Sequence, residues 1–159
     1  MNNKATLKND NFLSYQTARL KALIQEIIGC CEDRKIFESQ KFGLPYAELK
    51  CMMLFLGERY LTVKNIAQNL EVAKSRVTKL INGLSEKGFV EVIDDPKDAR
   101  VKLISLTAAG QKKAEEIELF QGDIHRKILV QLDDDERKNL LSRLEILRTA
   151  MEAVKSQLV

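Results

Sequence analysis

Several residue types are scarce in this chain of 159 residues, and each scarcity narrows the range of folds. The chain has no tryptophan, two prolines and seven glycines, and aromatic residues make up 6%. A fold of many short strands needs turn residues and aromatic side chains in larger numbers. Charged residues account for 31% and apolar residues for 45%, which favours a mainly helical protein with long solvated faces.

Histidine and cysteine are also rare, with one histidine, His125, and three cysteines. A zinc site requires several converging histidine, cysteine or carboxylate ligands, so we expect no metal and no cofactor. A catalytic Ser/His/Asp or Cys/His arrangement needs a histidine, and the chain has only one. We therefore predict that the protein is not an enzyme. Cys30 and Cys31 point about 100° apart on a helix, so they do not bridge each other.

Long apolar runs are missing as well. No segment approaches the roughly 18 apolar residues of a membrane span, and the N-terminal sequence MNNKATLKNDN lacks the apolar core of a signal peptide. We therefore expect a cytoplasmic protein with reduced thiols and no membrane partner. The net charge of +3 is too mild to indicate a nucleic-acid partner by itself.

The most informative segment runs from Thr62 to Thr107 and predicts helix, turn, helix, strand, charged loop and strand. Thr62 is placed to cap a short helix over 63–70. The second helix, over 73–87, repeats apolar residues at the spacing of one buried helical face. These residues are Val77, Leu80, Ile81 and Leu84. The strands are predicted at 89–93 and 101–106.

The opposite face of the second helix is polar and basic, and its size suits the major groove of DNA. The candidate DNA-contacting residues on this helix are Ser75, Arg76, Thr78, Lys79 and Asn82. Arginine suits a bidentate contact with guanine, and asparagine suits one with adenine. An ordinary solvated helix face is the alternative interpretation.

Two long helical regions, at about 12–38 and 108–158, flank a winged helix-turn-helix module at about 45–107. The C-terminal region ends in a heptad seam, which comprises Leu140, Leu144, Leu147, Met151, Val154 and Leu158. Since no later element covers this seam, it packs on the first long helix, on a second copy of the chain, or on both. We predict a single domain over 1–159 that is mainly α with a small β-wing and has N- and C-terminal dimerisation helices.

The wing and the start of the next helix carry a resemblance to a known family. They read DPKDAR at 95–100 and LISLT at 103–107, with Gly110 three residues further on. This pattern resembles the MarR family of bacterial transcription regulators, and the order of elements is similar over about residues 12–157. The resemblance implies a homodimer on a pseudo-palindromic operator of double-stranded DNA, released by a small ligand or by oxidation. We expect a repressor.

The resemblance also implies roles for two wing residues, Asp98 and Arg100. The matching arginine in the family enters the minor groove, and the aspartate two residues earlier holds its guanidinium in place. Physically, arginine suits a narrow, electronegative groove, and a carboxylate partner fixes a flexible side chain. Lys97 and Lys102 are candidate phosphate contacts, with plain surface charge as the alternative.

The family's effector crevice lies between the dimerisation helices and the winged module. Six aromatic or methionine side chains in that region are candidates for binding an aromatic or apolar acid. They are Phe37, Phe42, Tyr46, Met52, Met53 and Phe55. For each of them, a plain core position is the alternative.

Two further functional hypotheses stay open. Some family members sense oxidants through a cysteine near the first helix, and Cys30 is the candidate here. Cys31 and Cys51 are expected to be buried as small apolar residues. The other hypothesis is a winged-helix module that binds a protein partner and has no specific DNA site.

Overall fold

The computed structural model describes residues 3–96, 98 and 100–158, with side chains from residue 11 onward. Its helices are α1 (Asn3–Phe42), α2 (Tyr46–Met53), α3 (Val63–Leu70), α4 (Lys74–Glu86), α5 (Ala108–Leu129) and α6 (Asp134–Lys155). Its strands are β1 (Leu61–Thr62), β2 (Val90–Asp94) and β3 (Lys102–Leu106). The predicted fold class, mainly α with a small β-wing, is confirmed.

The chain forms two compact units, Met1–Ala114 and Glu115–Val159. The first, called the winged unit below, contains α1 to α4, the three strands and the start of α5. The second, called the C-terminal unit, contains the rest of α5 and all of α6. No helix in the described part of the chain is long and apolar enough to cross a membrane. The organisation as a single domain stays a prediction.

The helix boundaries agree with the sequence best in the helix-turn-helix. α3 begins and ends at the predicted residues, and α4 is one residue shorter at each end than the predicted helix 73–87. α1 is longer than the predicted 12–38, because residues 3–11 contain no proline or glycine that would stop a helix. The strand β1 is not predicted, since two residues carry no periodic pattern.

Local signals explain where the two central helices begin and end. The Thr62 hydroxyl accepts the Asn65 backbone N–H at 3.1 Å, and the Asn65 side chain accepts the Thr62 N–H at 3.2 Å. This reciprocal capping box satisfies two donors at the start of α3. Glu71 then adopts a left-handed conformation with φ 54°, which ends α3. Gly88, with φ 74°, follows α4 in the predicted left-handed position.

The core of the winged unit lies where α2, α3 and α4 pack together with the sheet. Its buried side chains include Leu49, Met52, Phe55, Ile66, Val77, Ile81, Leu84 and Ile104. The predicted apolar face of α4 is therefore in the core, except that Leu80 is half-buried. Each large apolar side chain buried in this way contributes on the order of 1.5–3 kcal/mol. This burial fixes the rotation of α4 about its axis.

The sheet has the strand order β1-β3-β2, and both pairings are antiparallel. The hairpin of β2 and β3 runs from Val90 opposite Leu106 to Asp94 opposite Lys102. An ion pair between Lys102 and Asp94 closes the hairpin at its outer end. The connection between the two strands, residues 95–101, is called the wing loop below.

A dense set of contacts, called the Thr107–Gly110 junction, joins this hairpin to α5. The Thr107 backbone N–H donates to the Phe89 carbonyl at 3.0 Å, and its hydroxyl donates to the Gly88 carbonyl at 2.6 Å. The same hydroxyl accepts the Gly110 N–H at 3.0 Å and so caps α5. A Cβ on Gly110 would lie 1.9 Å from the Phe89 carbonyl oxygen, so only glycine fits.

We expect Gly110→Ala to lower the free energy of unfolding by about 3 kcal/mol or more, because the added methyl group collides with backbone. Gly122→Ala in the same helix is the matched control, since no described atom other than those of the glycine, its two chain neighbours and the adjacent backbone of α5 lies within 4 Å of a Cβ at that position. The control is expected to raise stability by about 0.5–1 kcal/mol, as in other helix interiors. Urea denaturation followed by circular dichroism measures both changes. Similar effects of the two substitutions would contradict the role of the junction.

Candidate DNA-binding interface

The outer face of α4 presents every residue that the sequence predicted for this helix. The exposed residues are Ser75, Arg76, Thr78, Lys79 and Asn82. The Thr78 hydroxyl donates to the Lys74 carbonyl at 3.1 Å, which leaves its oxygen free to accept a further hydrogen bond. Ser75, Arg76 and Lys79 border an open groove of about 390 Å³. The face is thus cationic and rich in hydrogen-bonding groups.

The wing loop is shaped by hydrogen bonds from its own residues. The Asp98 carboxylate accepts the Arg100 backbone N–H at 3.0 Å, and the Asp98 carbonyl accepts the Val101 N–H at 2.9 Å. The Asp95 N–H donates to the Val101 carbonyl at 3.1 Å. These bonds hold the backbone of Asp95, Asp98, Arg100 and Val101 together, and Arg100 is exposed.

The contact of Asp98 differs from the one that the resemblance implied. Its carboxylate bonds the backbone N–H of Arg100, and no ion pair joins it to the Arg100 guanidinium in the described part of the wing. The reason is local, because an aspartate side chain reaches the N–H two residues later without strain. Lys102 is paired with Asp94, and Lys97 lies outside the described residues.

A helix-turn-helix followed by an antiparallel hairpin defines a winged helix-turn-helix protein, a class that presents one helix to a DNA groove. A family model described as the MarR family matches residues 42–101, which run from the end of α1 through the wing loop. This segment is similar to the MarR family, as the sequence resemblance predicted.

Individual relatives agree with this assignment. The chain is similar to the HTH-type transcriptional regulator YfiV of Bacillus subtilis, with 25% identity over 158 residues that cover 96% of this chain and 95% of YfiV. It is also similar to the HTH-type transcriptional repressor MdtR of Bacillus subtilis, with 29% identity over 127 residues that cover 80% of this chain and 79% of MdtR.

Solved structures support the fold. A mutant of S. aureus MepR bound to an oligodeoxyribonucleotide superposes with a TM-score of 0.61 and 19% identity, covering 83% of this chain and 97% of that chain. The matched family model and these relatives are those of transcription regulators, which supports a DNA-binding regulator. The matched family consists of regulators and not of enzymes, in agreement with the prediction that this protein is not an enzyme.

The six residues predicted for an effector pocket occupy different environments. Met52 and Phe55 are buried in the core, which matches the alternative interpretation of a plain core position. Phe37 is 54% exposed on α1. Phe42 and Met53 are half-buried, and Tyr46 is half-buried at the edge of an open cleft.

This cleft, called the basic cleft below, lies beside α4 and has a volume of about 470 Å³. It is lined by Lys35, Tyr46, Ala47, Lys50, Leu70, Val72, Arg76 and Leu80. Three lining residues are cationic and none is acidic, although Glu32 forms an ion pair with Lys35 at 2.5 Å. The hydrogen bond to Glu32 raises the pKa of Lys35 above its usual 10.5 and keeps it cationic. The sequence analysis missed Lys35 and Lys50, because their convergence depends on how α1 and α2 pack.

The three cysteines differ in accessibility. Cys51 is buried, as predicted, and desolvation raises the pKa of its thiol from 9.0 to about 12, with a smaller contribution from Glu48. It is therefore a neutral thiol at physiological pH. Cys31 is half-buried, and so less enclosed than predicted, whereas Cys30 is exposed. An exposed Cys30 satisfies one requirement of the oxidant-sensing hypothesis.

Proposed function

We propose that the protein is a homodimeric repressor that binds a pseudo-palindromic operator through two winged units. Each unit would insert α4 into the major groove and reach the adjacent minor groove with Arg100. The observation that carries the proposal is the exposure, on one compact unit, of a basic helix face and of an arginine in the wing loop. The relative MdtR is a transcriptional repressor, which supports the repressor role.

Side-chain chemistry separates the residues of α4 into those suited to base contacts and those suited to phosphate contacts. Arg76 and Asn82 have the groups that form bidentate contacts with guanine and adenine, respectively. Lys79, Ser75 and Thr78 are suited to phosphate oxygens, which position the helix and carry no sequence information. Because the opposite face of α4 is buried in the core, these groups reach DNA without any rotation of the helix.

The wing contributes an exposed cation, Arg100, on an ordered backbone. The bond from the Arg100 N–H to Asp98 orders the backbone, and the guanidinium has no acidic partner among the described residues. A weakly hydrated, planar cation of this kind suits the negative potential of a narrow minor groove. The ion pair of Lys102 with Asp94 holds the hairpin beneath it.

The apolar seam of α6 supports the homodimer. Leu144, Met151 and Val154 of α6 are 47%, 52% and 55% exposed in the single chain, and Leu158, just beyond the end of α6, is 81% exposed. Leu144 and Met151 also border an almost wholly apolar groove of about 380 Å³. A second copy that buries a row of such side chains gains about 25 cal/mol for each Å² of apolar surface removed from water. The heptad spacing is that of a helix-to-helix seam.

Removal of the wing arginine tests the proposed minor-groove contact. We expect Arg100→Ala to weaken binding by about tenfold, on a duplex that the native protein selects from a random-sequence pool, because one minor-groove cation is lost. Arg143→Ala removes the same charge from an exposed position on α6 and is the control. Fluorescence anisotropy at two salt concentrations measures both affinities. Equal losses in the two variants would show that net charge alone matters and would exclude the wing contact.

The release signal in this proposal is an aromatic or apolar carboxylate that binds the basic cleft. Lys35, Lys50 and Arg76 supply cations for the carboxylate, and Tyr46, Leu70 and Leu80 supply apolar surface. Since Arg76 belongs both to the cleft and to the DNA-contacting face of α4, an anion bound there competes with DNA for its charge. That shared residue links the ligand to the release of DNA.

Benzoate, used as the probe, is expected to dissociate the preformed complex with the native protein. The same concentration should have several-fold less effect on Lys50→Ala, because one of three cations in the cleft is lost. Cys30→Ser serves as a control that responds like the native protein. The oxidant-sensing alternative predicts release by peroxide in the native protein and none in Cys30→Ser. Benzoate release that is unchanged in Lys50→Ala would contradict the cleft as the ligand site.

A further inference from the structure

Beneath the C-terminal end of α4 lies a buried acidic residue that the DNA contacts do not use. Glu48 of α2 is 6% exposed, and its Oε1 accepts a hydrogen bond from Lys87 Nζ at 3.0 Å. Lys87 Nζ also donates to the Gly83 carbonyl of α4 at 3.2 Å. These three residues form a contact that we call the Glu48–Lys87 clasp. It joins α4 to α2, the helix that lies underneath it.

The clasp leaves α4 little freedom at this end. Gly83 has no side chain, and a Cβ there would lie 2.7 Å from Glu48 Oε1, so the carboxylate lies directly against the helix. The second carboxylate oxygen, Oε2, is buried with no hydrogen-bond partner among the described residues, which makes Lys87 the main compensation for the buried charge. A buried carboxylate resists any shift that would lengthen its one ion pair. The pair therefore favours one position of α4 along its axis.

The other end of α4 is held differently. There, Val77 is buried in the core, and Arg76 and Leu80 border the basic cleft along the flank of the helix. Val77, Ile81 and Leu84 anchor the apolar face of α4, and the clasp adds a polar contact of defined length at its C-terminal end that restricts its angle to the rest of the unit. That angle decides whether Arg76 and Asn82 meet base edges at hydrogen-bonding distance.

We propose that Glu48 and Lys87 are positioning residues that set the placement of α4 in the major groove and thereby determine sequence discrimination. The inference rests on the proposed function. Contacts with base edges require accurate distances and angles, whereas contacts with phosphates tolerate small displacements. Loss of the clasp should therefore weaken binding to the preferred sequence and leave binding to arbitrary sequences nearly unchanged.

The test compares affinity for the duplex selected by the native protein with affinity for the random pool. Glu48→Gln keeps the shape of the side chain and removes its charge, and Lys87→Met removes the cation and keeps an apolar stem. Each is expected to lower the ratio of the two affinities about tenfold, comparable to one mismatched base pair. Because Glu48→Gln makes the protein more positive, electrostatics alone predicts equal or tighter binding. A loss in that variant therefore reports geometry.

Two controls separate positioning from stability. Lys87→Arg keeps a cation and is expected to retain most of the discrimination. Ile104→Val truncates a core side chain of β3 that is 1% exposed, so it lowers stability without touching the clasp, and it should leave the ratio unchanged. All variants are compared at a temperature where denaturation curves show them to be folded.

The possible outcomes are distinct. An unchanged ratio in both Glu48→Gln and Lys87→Met overturns the inference and leaves the proposed function intact. An equal fall of the ratio in Ile104→Val also overturns it, because general stability would then explain the loss. If the native protein selects no sequence from the pool, the proposed function fails and the inference fails with it.

Discussion

The approach of Gly110 to the Phe89 carbonyl is the contact on which the DNA-binding surface depends. At this point the residues that follow α4, the last residue of the hairpin and the first turn of α5 are bonded to one another through Thr107. The wing leaves the core just after α4 and returns at Thr107, so the junction fixes both ends of the hairpin. The orientation of the wing relative to α4 is therefore set by backbone contacts that a single methyl group would break.

Each surface of α4 has a separate role. Its apolar face anchors it in the core, its polar face is left for DNA, and its C-terminal end is joined to α2 by a buried ion pair. The ion pair contributes little net stability, since desolvation of the two charges offsets their attraction. In the proposed function its effect is on geometry, which would matter for a helix that distinguishes bases by hydrogen bonds. In the proposed function, positioning thus resides in Glu48 and Lys87, and recognition resides in the polar face of α4.

Features governed by local sequence could be predicted, and features governed by packing could not. The Thr62 cap, the ends of α3 and α4 and the turn at Gly88 follow from nearest-neighbour chemistry, and the structure agrees with the prediction for each. The exposed residues of α4 follow from helical periodicity. By contrast, the basic cleft and the clasp arise from contacts between residues distant in sequence. The hydrogen-bond partner of Asp98 is one of several local alternatives of similar energy. From sequence, Gly110 is part of a family resemblance only. The physical reason for a glycine at this position is its close approach to the Phe89 carbonyl, which only the structure shows.

Dimethyl sulfate footprinting on the selected duplex tests the central claim most directly, since the reagent methylates guanine N7 in the major groove and adenine N3 in the minor groove. Two winged units predict two protected major-groove segments, related by two-fold symmetry and centred about 10 base pairs apart or a multiple of that distance. Each segment should be accompanied by protected adenine N3 atoms in the adjacent minor groove, where the wing arginine would lie. A single protected segment, or major-groove protection with no minor-groove protection beside it, would contradict the account.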